Sequence, residues 1–456
     1  MIDAGLQTPA ECRQRLTQRL HTAFKSASTN MNKLSLIWKT KDLRNKILIV
    51  LCLLLLTRVL AHIPVAGINA SGLKAYFANS QFINLLDIFS GGGLTNFSIV
   101  MLGVGPYITA TIIMQLLTIV IPSLAEMSKE GGEAGRAQIN QYTRYMTIVL
   151  APLQGFGTIR LLLSQGGGSI LGVFTPFTWF LVLMSITTGT MLMMWIGEII
   201  SEFDIGNGVS LIIFAGIVAR LPANLSFLSG WYDSSKLPVV LAFTAMVLIV
   251  IAGVVLVTEA QRNIPIAYAK RVRGNKLFGG VNTHLPLRLN QAGVIPIIFA
   301  ISVMLFPAMI SQFFINAKSA VLANLATKTI ALFNSQGLFY GITYFLLVMA
   351  FTYFYTAVVF NPEEIAENVQ KNGGFVPGLR PGAQTADFLS MVLNRITLAG
   401  AFFLAVIAIL PLLLQTYTGT TSLTFGGTSL LIVVSVVIEV IKKIEAQLTM
   451  HDYEGF

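Results

Sequence analysis

The chain has 456 residues, of which 54% are hydrophobic and only 11% charged, with a formal net charge of +10. A soluble domain carries about 25% charged residues, so a single large water-soluble core is excluded. The two cysteines (Cys12, Cys52) and four histidines are scattered without a CxxC or Cys/His pattern, so no disulfide, metal site or haem site is expected, and no cofactor.

The first residues, about 1–44, are polar and basic, which is not the pattern of a cleavable signal. Beyond them, apolar runs of about 20 residues recur, each long enough to cross about 30 Å of hydrocarbon as a helix. The first span is predicted at about 45–63. A short amphipathic piece, FINLLDIFSGGGLTNF, stops at Gly91-Gly92-Gly93 and leads at once into a second span at about 97–121. That piece is expected to be re-entrant or interfacial, because irregular backbone at membrane depth needs protein or water around it. Spans at about 145–163, 176–200 and 209–230 follow, with ARLPAN around Arg220 read as a broken segment near the far surface. The remaining spans are predicted at about 237–258, 292–315, 337–360, 396–415 and 425–443. The expected fold class is therefore an all-α polytopic membrane protein with ten transmembrane helices.

Lysine and arginine favour cytoplasmic loops. With the N-terminus inside, all but seven of the 30 Lys and Arg residues fall on the cytoplasmic side; the exceptions are Arg58, Lys74, Arg160, Arg220, Lys236, Lys318 and Lys328. Both termini are thus expected in the cytoplasm. Ten spans divide into two sets of five, about 45–230 and 231–443, with a tail at 444–456. Because five is odd, the second set enters from the opposite side, which is compatible with an inverted repeat.

Two cytoplasmic loops are large. Residues 259–289 carry six basic side chains, and IPIAYAKRVRGNKLF alternates around a Gly274-Asn275 turn signal, predicting a β-hairpin. Its charge suits either the positive-inside rule or an acidic or RNA-rich partner. Residues 361–390 contain NGGFVPGLRPG, in which Pro377 and Pro381 stiffen the chain around Arg380. An ordinary turn is one reading. The other is a held-up guanidinium fork for carboxylate or phosphate.

The spans hold almost no charge. Glu198 and Glu439 lie toward predicted cytoplasmic ends, and the remaining polar groups, including Thr109, Thr111, Gln115, Asn290 and Gln291, suit hydrogen bonding between helices. An ion-coupled transporter places ionisable groups near mid-membrane, so an inverted-repeat solute transporter is the alternative rather than the leading reading. No GxxxxGK[ST] phosphate loop and no catalytic set stand out, so the chain is not expected to be an enzyme.

From about residue 35 onward, the sequence resembles the SecY family, the channel-forming subunits of bacterial protein translocases. The strings that carry the likeness are FSGGGLTNFSIVMLGVGPYITATIIMQLL, WIGEIISEFDIGNGVSLIIFAGIVA, QRNIPIAYAKRV, THLPLRLNQAGVIPIIFA, NPEEIAENVQKNGGFVPGLRPG and FGGTSLLIVV, with HDYEGF at the end. The resemblance implies two inverted five-helix halves around an hourglass pore in the bacterial cytoplasmic membrane. It implies an aliphatic ring at the waist, here Val104, Ile108, Val209, Ile213, Ile298 and Ile432, with two valines where isoleucine is common. A plug helix at about 83–90 (Ile83, Leu85, Leu86, Asp87, Ile88, Phe89) would close the outer side. A lateral gate between the second and third and the seventh and eighth spans would include Gln115 and Asn290. Arg262, Lys270, Arg271 and Arg380 would dock the ribosome or the SecA motor. SecE and SecG subunits, signal peptides, nascent secretory or membrane proteins and the lipid bilayer are the other implied partners.

Overall fold

The computed structural model describes residues 40–65, 92–94, 96–129, 131–163, 175–230, 237–268, 271–273, 276–278, 283–291, 293–315, 319–333, 337–418 and 427–454. Helices dominate: α1 Lys41–Leu60, α2 Gly105–Val120, α3 Pro122–Lys129, α4 Gly132–Leu162, α5 Pro176–Glu202, α6 Gly208–Gly230 and α7 Leu237–Glu259. After a sheet-forming segment come α8 Ile295–Phe314, α9 Ala320–Leu332, α10 Leu338–Val359, α11 Pro362–Lys371, α12 Ala383–Thr418 and α13 Gly427–Glu454. Prolines open α2, α5, α8 and α11, where a fixed φ favours the first turn and the missing N–H is not needed. Thr175 caps α5 by accepting from the Thr178 N–H, and Asn361 caps α11 by accepting from Glu363. Among the described residues, Pro176–Glu202, Leu338–Lys371 and Ala383–Leu410 are each long and apolar enough to cross a membrane unaided.

Every sequence-predicted span falls on one of these helices, but several extents differ. The second begins at Gly105, not at 97: residues 97–104 form a chain of tight turns, with Phe97 fully buried in a left-handed conformation (φ 45°). These turns are wrapped by protein, as non-helical backbone at membrane depth requires; Leu94, Phe97, Met101 and Leu102 pack with Ile159, Leu162, Val182 and Ile186. The helix of the fifth span continues through Pro222, so ARLPAN is bent at most, not broken. Helix α4 starts well before its apolar run. Helix α13 continues to Glu454, and its polar end is held by Lys443–Asp204 (3.1 Å) and Lys442–Glu259 (2.8 Å) ion pairs. Helix α9 is an element that sequence reasoning left as loop.

Between α7 and α8 the chain forms strands β1 Gln261–Tyr268, β2 Arg271–Arg273, β3 Lys276–Phe278 and β4 Thr283–Arg288. The register runs from Gln261↔Arg288 to Ile266↔Thr283, and β2–β3 pair as a second ladder around 274–275, as the turn signal predicts. A further two-residue strand, β5 Gly374–Phe375, adds to β1 through Ala267↔Phe375 and Tyr268↔Gly374. This sheet marks one end of the helix bundle, the sheet end; the opposite is the far end.

Candidate functional site

The central core draws on α1, α2, α5, α6, α7, α8, α10, α12 and α13. All six residues expected at the waist lie in it. Val104, Ile108, Ile213, Ile298 and Ile432 are buried, and Val209 packs against them partly buried. Val104 is the N-cap of α2 rather than a member of the helix, yet the Ile108 N–H donates to its carbonyl (3.0 Å), so the two follow one another along one face. Val209 and Ile213 are one turn apart in α6. Four helices thus bring six aliphatic side chains into one cluster.

A cavity of about 340 Å³ stands on this cluster. Ile108, Val209 and Ile298 belong to its apolar part with Ile295 and Phe299, and its walls come from α2 and from the sheet-end portions of α4, α5, α6, α8 and α10. The polar rim contains Asn140, Arg144, Glu198 and Glu202, with the Arg144 guanidinium bound to the Glu198 carboxylate at 2.9 Å. The arrangement is a funnel with charge at the mouth and hydrocarbon at the bottom.

Gln115 also lines the cavity. Its side-chain oxygen is buried without a hydrogen-bond partner among the described residues. Asn290 donates to the Gly293 carbonyl (3.1 Å), and its own oxygen is likewise buried and unpartnered among those residues. No hydrogen bond joins Gln115 to Asn290, although α8 packs against both α2 and α4. Of the other polar groups in the spans, Thr109 accepts from Gln154 (3.2 Å) and ties α2 to α4, whereas Thr111 turns back to the Tyr107 carbonyl.

At the sheet end the two large loops are one structure. Ile264 and Leu287 from the first loop pack with Val376 from the second and with Leu389, Val392 and Leu393 from the first turns of α12. This shared core was not anticipated. The signal was present in the sequence as the apolar alternation of β1 and the apolar positions of 386–393, but pairing between distant segments has no local signature. Arg380 is exposed on this module. The Thr385 hydroxyl donates to its carbonyl (2.9 Å), and left-handed Gly378 and Gly382 set the turns on either side of it. Arg262 is exposed on β1; Arg271 is placed only by its backbone in β2, and Lys270 lies outside the described residues. The expected plug residues, Ile83, Leu85, Leu86, Asp87, Ile88 and Phe89, also lie outside them.

A many-helix membrane bundle with an uncharged aliphatic cluster beneath a charged-rimmed cavity has a channel-type architecture. The fold matches a solved protein-conducting channel with a TM-score of 0.59 and 20% sequence identity, covering 87% of this chain and 90% of that one. It likewise matches Sec61 in the canine ribosome–channel complex from the endoplasmic reticulum (TM-score 0.57, 19% identity, 87% and 90% covered). The SecY family model matches residues 98–441. The protein translocase subunit SecY of Mycobacterium tuberculosis is 44% identical over 434 residues, covering 92% of this chain and 98% of its own. That of Streptomyces galbus is 42% identical over 441 residues, with the same coverage. The chain belongs to the SecY family.

Proposed function

We infer that this chain is the channel-forming subunit of a protein translocase: a passive conduit that passes unfolded secretory polypeptides across the bacterial cytoplasmic membrane and releases apolar segments sideways into lipid. The observation that carries this reading is the aliphatic cluster of Val104, Ile108, Val209, Ile213, Ile298 and Ile432 beneath the funnel. A conduit for diverse unfolded chains must grip none of them, and apolar side chains offer no specific polar contact. An empty apolar constriction also excludes water and ions by dewetting. The family relatives, named as protein translocase subunits, point the same way, and nothing favours the solute-transporter alternative.

In this reading residues 45–230 and 231–443 are the two halves, the sheet end faces the cytoplasm with both termini, and the segment around 83–90 seals the far side. The seam where α8 meets α2 and α4 is the lateral gate. The oxygens of Gln115 and Asn290 find no hydrogen-bond partner among the described residues, so few hydrogen bonds are lost when that seam parts. A signal segment leaving through it gains about 0.8 kcal/mol per buried CH₂. The sheet-end module, with Arg262, Lys270, Arg271 and Arg380, receives the SecA motor or the ribosome, which supply the energy; SecE and SecG complete the complex. The chain itself carries out no chemical step.

The test is photocrosslinking of a stalled secretory chain in the assembled translocase. Probes at Val104, Ile108 and Ile298 are expected to capture the chain, and a probe at the exposed Val120 is expected to capture lipid. Capture at Val120 with none at the three waist positions rejects the route.

A further inference from the structure

Helix α9, Ala320–Leu332, plays no part in the function argued above. It connects the far ends of α8 and α10 and packs against α8. At 100° per residue, Val321, Leu325, Lys328 and Leu332 fall within about 60° of one another, with Leu322 flanking them. Val321, Leu322, Leu325 and Leu332 are 68%, 45%, 56% and 50% exposed, so this apolar stripe faces away from the protein. The buried face lies elsewhere on the wheel, at Ala326 (4% exposed). A third face is polar and exposed, at Asn324 and Thr327; the Thr327 hydroxyl turns back to the Ala323 and Asn324 carbonyls.

Three faces with three characters fit three neighbours: protein, hydrocarbon and water. Lys328 stands on the border between the apolar stripe and the polar face, and among the described residues no carboxylate pairs with it. The stripe also continues surfaces that are apolar and outward-facing on both flanking spans. These are Ile310 and Phe314 at the end of α8, and Leu338, Phe339 and Ile342 at the start of α10. Helix α9 is far too short to span a bilayer, but an amphipathic helix with an exposed apolar stripe is stable in the plane of the interface.

We propose that α9 lies in the phospholipid interface at the far end of the bundle, with Val321, Leu325 and Leu332 among the acyl chains and the Lys328 ammonium against a headgroup phosphate. Lysine suits that border because its stem lies along apolar surface while its charge reaches the polar layer. The helix thereby anchors to the lipid surface the far end of α8, the helix whose opposite end carries Ile298.

The test uses the full protein in liposomes of phosphatidylethanolamine and phosphatidylglycerol, with Cys12→Ser and Cys52→Ser as background. A nitroxide is attached at Leu325→Cys or at Thr327→Cys; both positions are exposed, so neither label disturbs packing. Power saturation with oxygen and with a water-soluble nickel chelate reads the surroundings. The Leu325 label is expected to be oxygen-rich and nickel-poor, at a depth of about 5–10 Å, and the Thr327 label nickel-accessible. Adding Lys328→Glu is expected to move the Leu325 label toward water, and more so at high phosphatidylglycerol content. Equal nickel access at both labels places the helix in solvent and overturns the proposal. Shielding of the Leu325 label from both reagents means that protein covers the stripe, which also overturns it. An unchanged Leu325 depth with Lys328→Glu removes the phosphate contact.

Discussion

Replacing Ile108 and Ile298 together with alanine tests whether the waist is a seal or merely a core. Both are 4% exposed, and both reach the bottom of the funnel. Each substitution removes three carbons, which costs about 2.4 kcal/mol at roughly 0.8 kcal/mol per buried methylene; a persisting void raises this toward the upper part of the usual 2–5 kcal/mol range. The pair therefore loses about 5 kcal/mol or more of packing, and less than the sum if the two sites relax into one another. The loss falls at the boundary between a wettable funnel and a dry cluster. Water enters where the aliphatic surface has receded, and ions follow. In planar bilayers, resting channels without substrate should conduct more than the parent in each single variant, and the double should exceed the sum of the singles, because a leak needs a continuous wet path. Thermal unfolding of the same preparations reports the packing loss separately. A double variant that melts earlier yet conducts no more than the parent would show that these side chains stabilise the bundle and seal nothing.

Two further outcomes follow from the sheet-end module. Arg380→Glu reverses an exposed charge at the tip of the second loop without touching its core, so partner-driven export in membrane vesicles should fall while channel abundance stays at the parental level; parental export at equal abundance rejects the docking role. Gly374→Val crowds the junction of the two loops, where even a single added carbon would lie 3.0 Å from Val369 Cγ1, 3.1 Å from Tyr268 Cε1 and 3.2 Å from Ile266 Cγ2. Overpacking of this kind costs about 1–3 kcal/mol. Hydrogen–deuterium exchange should rise at 267–268 and 374–375 and stay unchanged in α5 and α10; unchanged exchange at the junction means that the loops do not depend on this pairing.

Helix positions were legible in the sequence because burial in lipid and helical length both act locally: an uninterrupted run such as 237–258 admits no other structure at that depth. Helix ends were less legible. Outside the membrane a helix is held by backbone hydrogen bonds and side-chain pairs, not by hydropathy. The polar end of α13 therefore continues past 443 on its contacts with Asp204 and Glu259. The β-hairpin was legible through its turn residues, but β5 was not, since two residues carry no periodicity. Helix α9 was missed because thirteen residues are too few for a span, although the spacing of Val321, Leu325 and Leu332 already marked a helical stripe. The waist residues were named from resemblance and not from pattern. A valine or isoleucine in an apolar span looks the same whether it faces lipid, core or pore.

The module at the sheet end and the waist are joined by a very short path. Strand β4 ends at Arg288, the Leu289 N–H donates to the Ala260 carbonyl (2.8 Å), and α8 starts at Ile295, with Ile298 in its first turn. From the other side, Gly400 of α12 lies against the Leu289 carbonyl so closely that a side-chain carbon there would approach its oxygen to 2.5 Å. The joint is thus pinned between two spans, and it turns through left-handed Gly293 (φ 62°), whose carbonyl accepts from the Asn290 side chain. The shared core of the two loops is close-packed, and such interiors transmit strain. The start of α8 follows directly on this joint and carries Ile298 of the aliphatic cluster, so the loops and the cluster share one covalent connection.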